Sequence, residues 1–209
     1  MKRALAGVLA GTLAACSGGL HSSAPAEQVY VLRAPPPAEQ STASGAHLRL
    51  RVLRPLAAPG LGSDRIALVT SGNRLDFFAA SRWAGPLPDM VQALAVETFA
   101  GSGVWGLVED SRGALAEDYL LQLTIRRFEA DYTQHPELPT VHVALDCVLA
   151  RRDDRAVVAS FPAESTQDVM QNRVGNIVAA FEQTLDATLA DAAQRAATVV
   201  RSAKSPTPP

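Results

Sequence analysis

The sequence predicts a single α+β domain, a mainly antiparallel sheet with two helices packed on one of its faces. Two neighbouring runs, Tyr119 to Ile125 and Val141 to Leu149, alternate apolar and polar residues with the period of a half-buried strand. After Val174 the apolar residues recur instead every three or four positions, the period of an amphipathic helix. A chain of 209 residues has room for one ordinary core and little more.

Taken in order, Val29-Tyr30-Val31-Leu32 is a short strand. Ala34-Pro35-Pro36-Pro37 and the polar residues through Gly45 cannot form regular structure, because proline removes the amide donor. From His47 to Leu53 the residues alternate, with Leu48, Leu50 and Val52 on one face and His47, Arg49, Arg51 and Leu53 on the other. Pro55 to Ser63, with two prolines and two glycines, turns the chain into a strand at Arg65 to Val69. Ser71-Gly72-Asn73 then makes a hairpin turn into Leu75-Asp76-Phe77-Phe78.

A helix follows, with Pro86 or Pro88 suited to its first turn and Asp89 adding favourable negative charge there. Leu87, Val91, Leu94 and Thr98 share one side of it, and Gly101 ends it. Val104 to Val108 is a further short strand. Tyr119, Leu121, Leu123 and Ile125 point one way, yet Phe128 falls on the opposite phase after Arg126-Arg127, so a bulge at the Arg pair is predicted. Gln134 to Pro139 is a turn; Val141, Val143, Leu145, Cys147 and Leu149 face one way in the next strand. Asp153-Asp154 turns the chain into a last strand at Ala156 to Phe161. These adjacent long strands make the antiparallel centre of the sheet. Ile177, Val178, Phe181, Leu185, Leu189, Ala192, Ala196 and Val199 line a helix of about seven turns. The expected organisation is a leader at 1–15, a tether at 16–28, the domain at 29–201 and a proline-rich tail at 202–209.

The amino terminus carries an address. Met1-Lys2-Arg3 followed by an apolar run from Ala4 to Ala15 reads as a secretory signal, too short to cross a bilayer. Its close, Leu13-Ala14-Ala15-Cys16, resembles the bacterial lipobox. That resemblance implies a diacylglycerol on the Cys16 thiol, cleavage before Cys16 and acylation of the new amino terminus. Two or more acyl chains hold a protein stably on a membrane where one does not. Ser17 in place of Asp implies the outer membrane of a Gram-negative cell, on its periplasmic face. The residues from Ser17 to Gln28 have no period and read as a flexible tether of about 40 Å when extended.

Cleavage at that site leaves 194 of the 209 residues and moves the net charge from −2 to about −4. A mildly acidic chain argues against nucleic acid as partner. No later apolar run is long enough for a second crossing. With Cys16 lipidated, Cys147 has no intramolecular disulfide partner, so stability rests on packing.

Candidates for chemistry are few. The four histidines are His21 in the tether, His47 and His142 on strands and His135 in a turn. His142 and Asp146 share a strand face but sit roughly 13 Å apart, too far for an acid–base pair or a single metal site. Cys147 keeps register with Val143, Leu145 and Leu149, the pattern of a small buried hydrophobe. No phosphate loop, nucleophile elbow or metal-ligand spacing is present, so the sequence predicts no enzyme, no metal and no cofactor beyond the covalent lipid on Cys16. Arg82-Trp83 is the more informative pair. An indole between a strand and a proline-started helix fills a core corner in one reading. In the other, Arg82 and Trp83 are candidate partner-interface residues, since Trp and Arg are favoured anchors. Arg126-Arg127 either pairs with Glu129 or Asp131 or binds an anionic partner.

From Arg65-Ile66-Ala67 through Arg74-Leu75-Asp76-Phe77-Phe78-Ala79 to Arg82-Trp83-Ala84-Gly85-Pro86-Leu87-Pro88-Asp89-Met90, the chain resembles the ABC-type transport auxiliary lipoprotein family, which includes the PqiC-like proteins. Tyr30-Val31-Leu32, Phe128-Glu129-Ala130-Asp131 and Ala179-Ala180-Phe181 extend the resemblance over nearly the whole mature chain. It implies a non-catalytic auxiliary subunit working with an inner-membrane MCE-domain protein and associated ABC or permease components, in a system that moves lipids or other hydrophobic molecules. The domain itself binding lipid, and a homo-oligomeric ring forming a collar around a partner, are further expectations. The competing expectation is a structural or regulatory lipoprotein that modulates another envelope protein.

Overall fold

The computed structural model describes residues 26–34 and 48–204. The leader, Cys16, most of the tether, His21, Pro35 to His47 and residues 205–209 lie outside them. In chain order the elements are β1 (Gln28–Tyr30), β2 (Arg49–Val52), β3 (Leu56–Ala57), β4 (Arg65–Thr70), β5 (Arg74–Trp83), α1 (Leu87–Gly101), β6 (Leu107–Glu109), β7 (Tyr119–Asp131), β8 (Thr140–Arg151), β9 (Val157–Asp168) and α2 (Val174–Lys204).

The sheet is organised by β7. Along one edge it pairs antiparallel with β8, which pairs antiparallel with β9. The pairing slips between Ile125 and Arg127, so the predicted bulge is present. One extra residue there lets Leu121, Leu123 and Ile125 before it and Phe128 and Ala130 after it all reach the same buried face. Along its other edge β7 receives three short segments in succession: Leu50 beside Tyr119, Leu56 beside Thr124 and Leu68 beside Ala130. All three run parallel to it. Pro55 and the Pro59-Gly60 turn break this stretch of chain, while a strand of 13 residues offers an edge long enough for every piece. Pro55 to Ser63 was expected to be turn alone and contributes β3 as well.

Outer strands complete a nine-stranded mixed sheet in which the long pairs are antiparallel. β6 lies parallel to β2, β5 antiparallel to β4, and β1 parallel to β5. The hairpin turn at Gly72 and Asn73 uses left-handed φ values of 77° and 55°, which glycine and asparagine tolerate best. β5 is longer than the expected Leu75 to Phe78. It continues to Trp83 through an irregularity at Ala80, where the partner of β4 jumps from Phe77 to Arg82. The strand expected at Val104 to Val108 is displaced to Leu107–Glu109, and Val104 and Trp105 are buried in the preceding loop.

Both helices cover one face. α1 begins after Pro86, with Pro88 and Asp89 in its first turn, and buries Leu87, Val91, Leu94 and Phe99. α2 is 31 residues long and buries Ile177, Phe181, Leu185, Leu189, Ala192 and Ala196 as the spacing predicts. Val200, rather than Val199, takes the last core position, and the helix continues through 202–204, which were expected to belong to the tail. Likewise β1 begins at Gln28, the last residue of the expected tether. Thr184 and Thr188 are buried on α2 with their hydroxyls donating to the carbonyls of Ala180 (2.6 Å) and Thr184 (2.8 Å), so neither is left unsatisfied. The opposite face of β7, β8 and β9 is mixed, with Thr124, Arg126, His142, Asp146 and Glu164 among apolar residues such as Ala144 and Val148.

Candidate functional site

The Arg82 to Pro88 stretch forms the corner between β5 and α1. Backbone bonds pin it on three sides: Trp83 N–H donates to Asp64 (2.7 Å), Ala84 N–H to Tyr30 (2.7 Å) and Leu87 N–H to Ser63 (3.0 Å). Successive strand residues point to opposite faces. Trp83 therefore turns inward and is wholly buried, its ring edge-on to Phe181 (5.5 Å between centroids) and Phe128 (6.0 Å), which stack on each other at 4.7 Å. This aromatic cluster joins β5, β7 and α2, and such pairs add about 0.5–1.5 kcal/mol each to their area burial. The reading of Trp83 as a partner contact is corrected by its burial: no part of the ring is available to another protein.

Arg82 points the other way and is partly exposed. Its guanidinium is held by Glu27 at 2.7 Å and Asp64 at 3.4 Å. Past the corner, the chain from Val31 to Ala34, the Ala84-Gly85 link and the outer side of α1 enclose an open groove of about 530 Å³, which Arg82 does not line. Met90, Ala93 and Glu97 line its helical wall. Arg33 also lines it, its backbone N–H donating to Glu182 of α2 at 3.0 Å. Of the two candidate interface residues, Arg82 alone faces a surface that a partner can reach.

The remaining candidates are drawn into local pairings. Arg127 bonds Glu129 and Asp131, and Arg126 bonds Asp146 (2.8 Å) with Glu164 further off, so the arginine pair is matched by carboxylates of the sheet. His142 lies 3.9 Å from Asp131, apart from the Arg126–Asp146 pair, and burial together with the nearby Arg127 charge pushes its imidazole below the usual value. Cys147 is buried, and burial, aided by the Asp146 charge, pushes its thiol up to about 12, so it is not a thiolate at neutral pH. Among the described residues no group of three or more His, Cys, Asp and Glu is placed to hold a metal, and no helix is long and apolar enough to cross a membrane.

Sequence reasoning missed a charged cluster at the start of β7. Glu117 is nearly buried and pairs with Arg51 (2.7 Å) and Arg152 (3.2 Å), while Asp118 accepts the backbone N–H of Arg49 (2.7 Å). Burial by itself raises the Glu117 carboxyl, but a backbone donor and the two guanidinia outweigh it and hold the group below the ordinary carboxylate range. Arg49 and Arg152 lie 103 positions apart in the sequence; the parallel pairing of β2 with β7 brings in Arg49 and Arg51, and the antiparallel pairing of β8 with β7 brings in Arg152.

The family model for the ABC-type transport auxiliary lipoprotein component matches residues 30–193. The chain belongs to that family. The matched span covers every described element from the end of β1 well into α2, so the family is defined by the whole sheet and not by the Arg82 corner alone. Among solved structures, the chain is similar to a protein of Xanthomonas campestris assigned to family DUF330. That match has 25% identity and a TM-score of 0.73, over 84% of this chain and 98% of the other. A second crystal structure, of an uncharacterized protein, shares the fold at 15% identity and a TM-score of 0.64, over 84% of this chain and 99% of the other. Among curated proteins no relative matches. As a member of this family the chain is an auxiliary lipoprotein of ABC-type transport.

Proposed function

We propose that the protein is a non-catalytic subunit of an envelope transport system for lipids or other hydrophobic molecules. Acylated Cys16 holds it on the periplasmic face of the outer membrane, and it docks there with an inner-membrane MCE-domain protein and its ABC or permease components. The observation that carries the reading is the family match over residues 30–193. Two features support its finer parts. The lipobox-like Leu13 to Cys16 ends only twelve positions before Gln28, the first residue of β1. The groove between the Val31 to Ala34 chain and α1 gives a partner segment an open surface with apolar residues such as Met90 and Ala93 and charged ones such as Asp89 and Glu97.

Crosslinking in intact cells tests the partnership. A photoreactive residue introduced as Ala93→p-benzoylphenylalanine, on the groove wall, is expected to capture an MCE-domain protein, and Arg82→Glu to weaken that capture. If neither this position nor others around the groove yields such a crosslink, the transport partnership is wrong and the regulatory alternative takes its place. Palmitate labelling that disappears in Cys16→Ala, together with sedimentation of the wild type with outer-membrane density, tests the anchor and its destination.

A further inference from the structure

We infer that the end of the sheet formed by the β7–β8 turn and the β9–α2 junction is a membrane-contacting tip, applied to the surface of the bilayer that holds Cys16. This rests on the proposed acylation of Cys16 and goes beyond it, because it fixes which end of the domain faces the lipid.

Three observations carry it. First, apolar side chains project here without a covering element: Met170 is 84% exposed and Leu138 is 42% exposed. With Pro136 and Pro139 they border a cleft of about 430 Å³. A second cleft of about 300 Å³ adjoins it through Pro136 and is walled by Leu68 and Tyr132. Clustered apolar exposure of this kind marks a contact surface, whereas single exposed residues do not.

Second, the tip is preformed. Val169 N–H donates to the Pro139 carbonyl (3.1 Å), the Tyr132 hydroxyl donates to Asn172 (2.8 Å), and the Thr140 hydroxyl donates to Asp168 (2.7 Å). These bonds tie the turn to the helix junction, so the apolar residues are presented by a rigid support and need not be ordered on contact.

Third, the start of β1 points toward this end. β1 runs parallel to β5, with Gln28 beside Ser81. β5 starts at the Ser71–Asn73 hairpin, which lies next to the end of β7 because Val69 pairs with Asp131. Ala26 and Glu27, just before Gln28, therefore lie on its tip side. From the level of Arg65, which neighbours β1 through Arg82, to Thr70 is five strand residues, about 17 Å. The ten residues from Cys16 to Ala26 can span up to about 35 Å, enough to bring the tip to the surface that the lipid occupies. A bilayer interface is the occupant this arrangement fits: amphipathic Tyr132 at the base and Leu, Met and Pro at the rim resemble the way peripheral elements seat their apolar faces in the interface.

The test uses the full lipidated protein in vesicles of phosphatidylethanolamine and phosphatidylglycerol with brominated acyl chains. Met170→Trp places a reporter at the tip, and Val157→Trp places one at the opposite end of β9. The native Trp83 and Trp105 are buried and provide a constant background. The expected result is a blue shift and loss of emission for Met170→Trp and no change for Val157→Trp. A modified Cys16 by intact mass with Met170→Trp unquenched, or with both reporters quenched alike, overturns the tip and leaves the anchor standing. An unmodified Cys16 overturns the anchor and the proposal together. A blue shift of Met170→Trp that depends on protein concentration without vesicles assigns the surface to a second copy of this chain and also overturns it.

Discussion

The two ends of the β7–β8–β9 meander solve opposite problems. At one end, around the start of β7, Arg51, Arg151 and Arg152 meet Glu117, Asp153 and Asp154 in a mesh of ion pairs, with Leu115 and Val157 exposed beside them. At the other end Pro136, Leu138, Pro139 and Met170 gather around clefts. The difference is between an end that is closed upon itself and one that still has a surface to cover. Burial of the nearly enclosed Glu117–Arg51 pair makes the charged end costly to perturb, whereas the apolar end contributes little to folding because its side chains remain in water.

The largest effect tests whether the ends depend on one core. Trp83→Ala removes the aromatic hub between them and should cost about 4 kcal/mol, a large part of the 5–15 kcal/mol of an ordinary domain. Hydrogen exchange should then rise at both ends together; loosening of one end alone would divide the domain into independent units.

Next, Glu117→Ala removes the carboxylate partner of Arg51, which keeps the Gly113 and Leu115 carbonyls as acceptors, and should lower stability by about 1–2 kcal/mol. The charge state sharpens this. Because the folded Glu117 carboxyl lies below its ordinary value, its contribution is complete at neutral pH and drains away as the pH falls through the carboxylate range. The melting temperatures of wild type and variant should therefore converge in acid, and a constant gap would show that the loss is one of packing.

Asp186, midway along α2, responds in the opposite sense. Burial, with Glu182 nearby, raises its carboxyl to about 6, so it favours folding below the ordinary carboxylate value and loses that advantage as the pH rises through 6. The corresponding upper bound near pH 8 is about 3 kcal/mol, reduced to about 1 kcal/mol by solvent at this half-buried position. Asp186→Asn should raise the melting temperature by about 2–4 °C at pH 8 and leave it unchanged at pH 4.

The smallest stability effect is expected at the apolar end. Leu138→Ser and Met170→Ser should shift stability by no more than about 0.5 kcal/mol, since each side chain is already substantially solvated. A loss of several kcal/mol in calorimetry would place these residues in the core after all and erase the contrast between the ends.

Much of the fold was legible from particular residues. The slip of Phe128 against Tyr119 to Ile125 announced the bulge, because alternation is a local property and one extra residue reverses it. Pro86, Pro88 and Asp89 announced α1 through first-turn chemistry. The parallel partners of β7 were not legible. β2, β3 and β4 are too short to declare direction or neighbour, and only the long edge of β7 selects them. The site was half legible for a related reason: Arg82-Trp83 stood out, but the division of labour within it did not.

The sequence by itself determined most of the elements, the lipobox-like Leu13 to Cys16 motif and the family resemblance, all of which reside in short-range spacing and residue type. Only the tertiary structure decided which side of Arg82-Trp83 meets solvent, which charges form the Glu117 cluster and which end of the sheet carries the exposed apolar rim. Adjacent strand residues point to opposite faces, so the choice of covered face falls to α1 and α2, elements that pack from elsewhere in the chain.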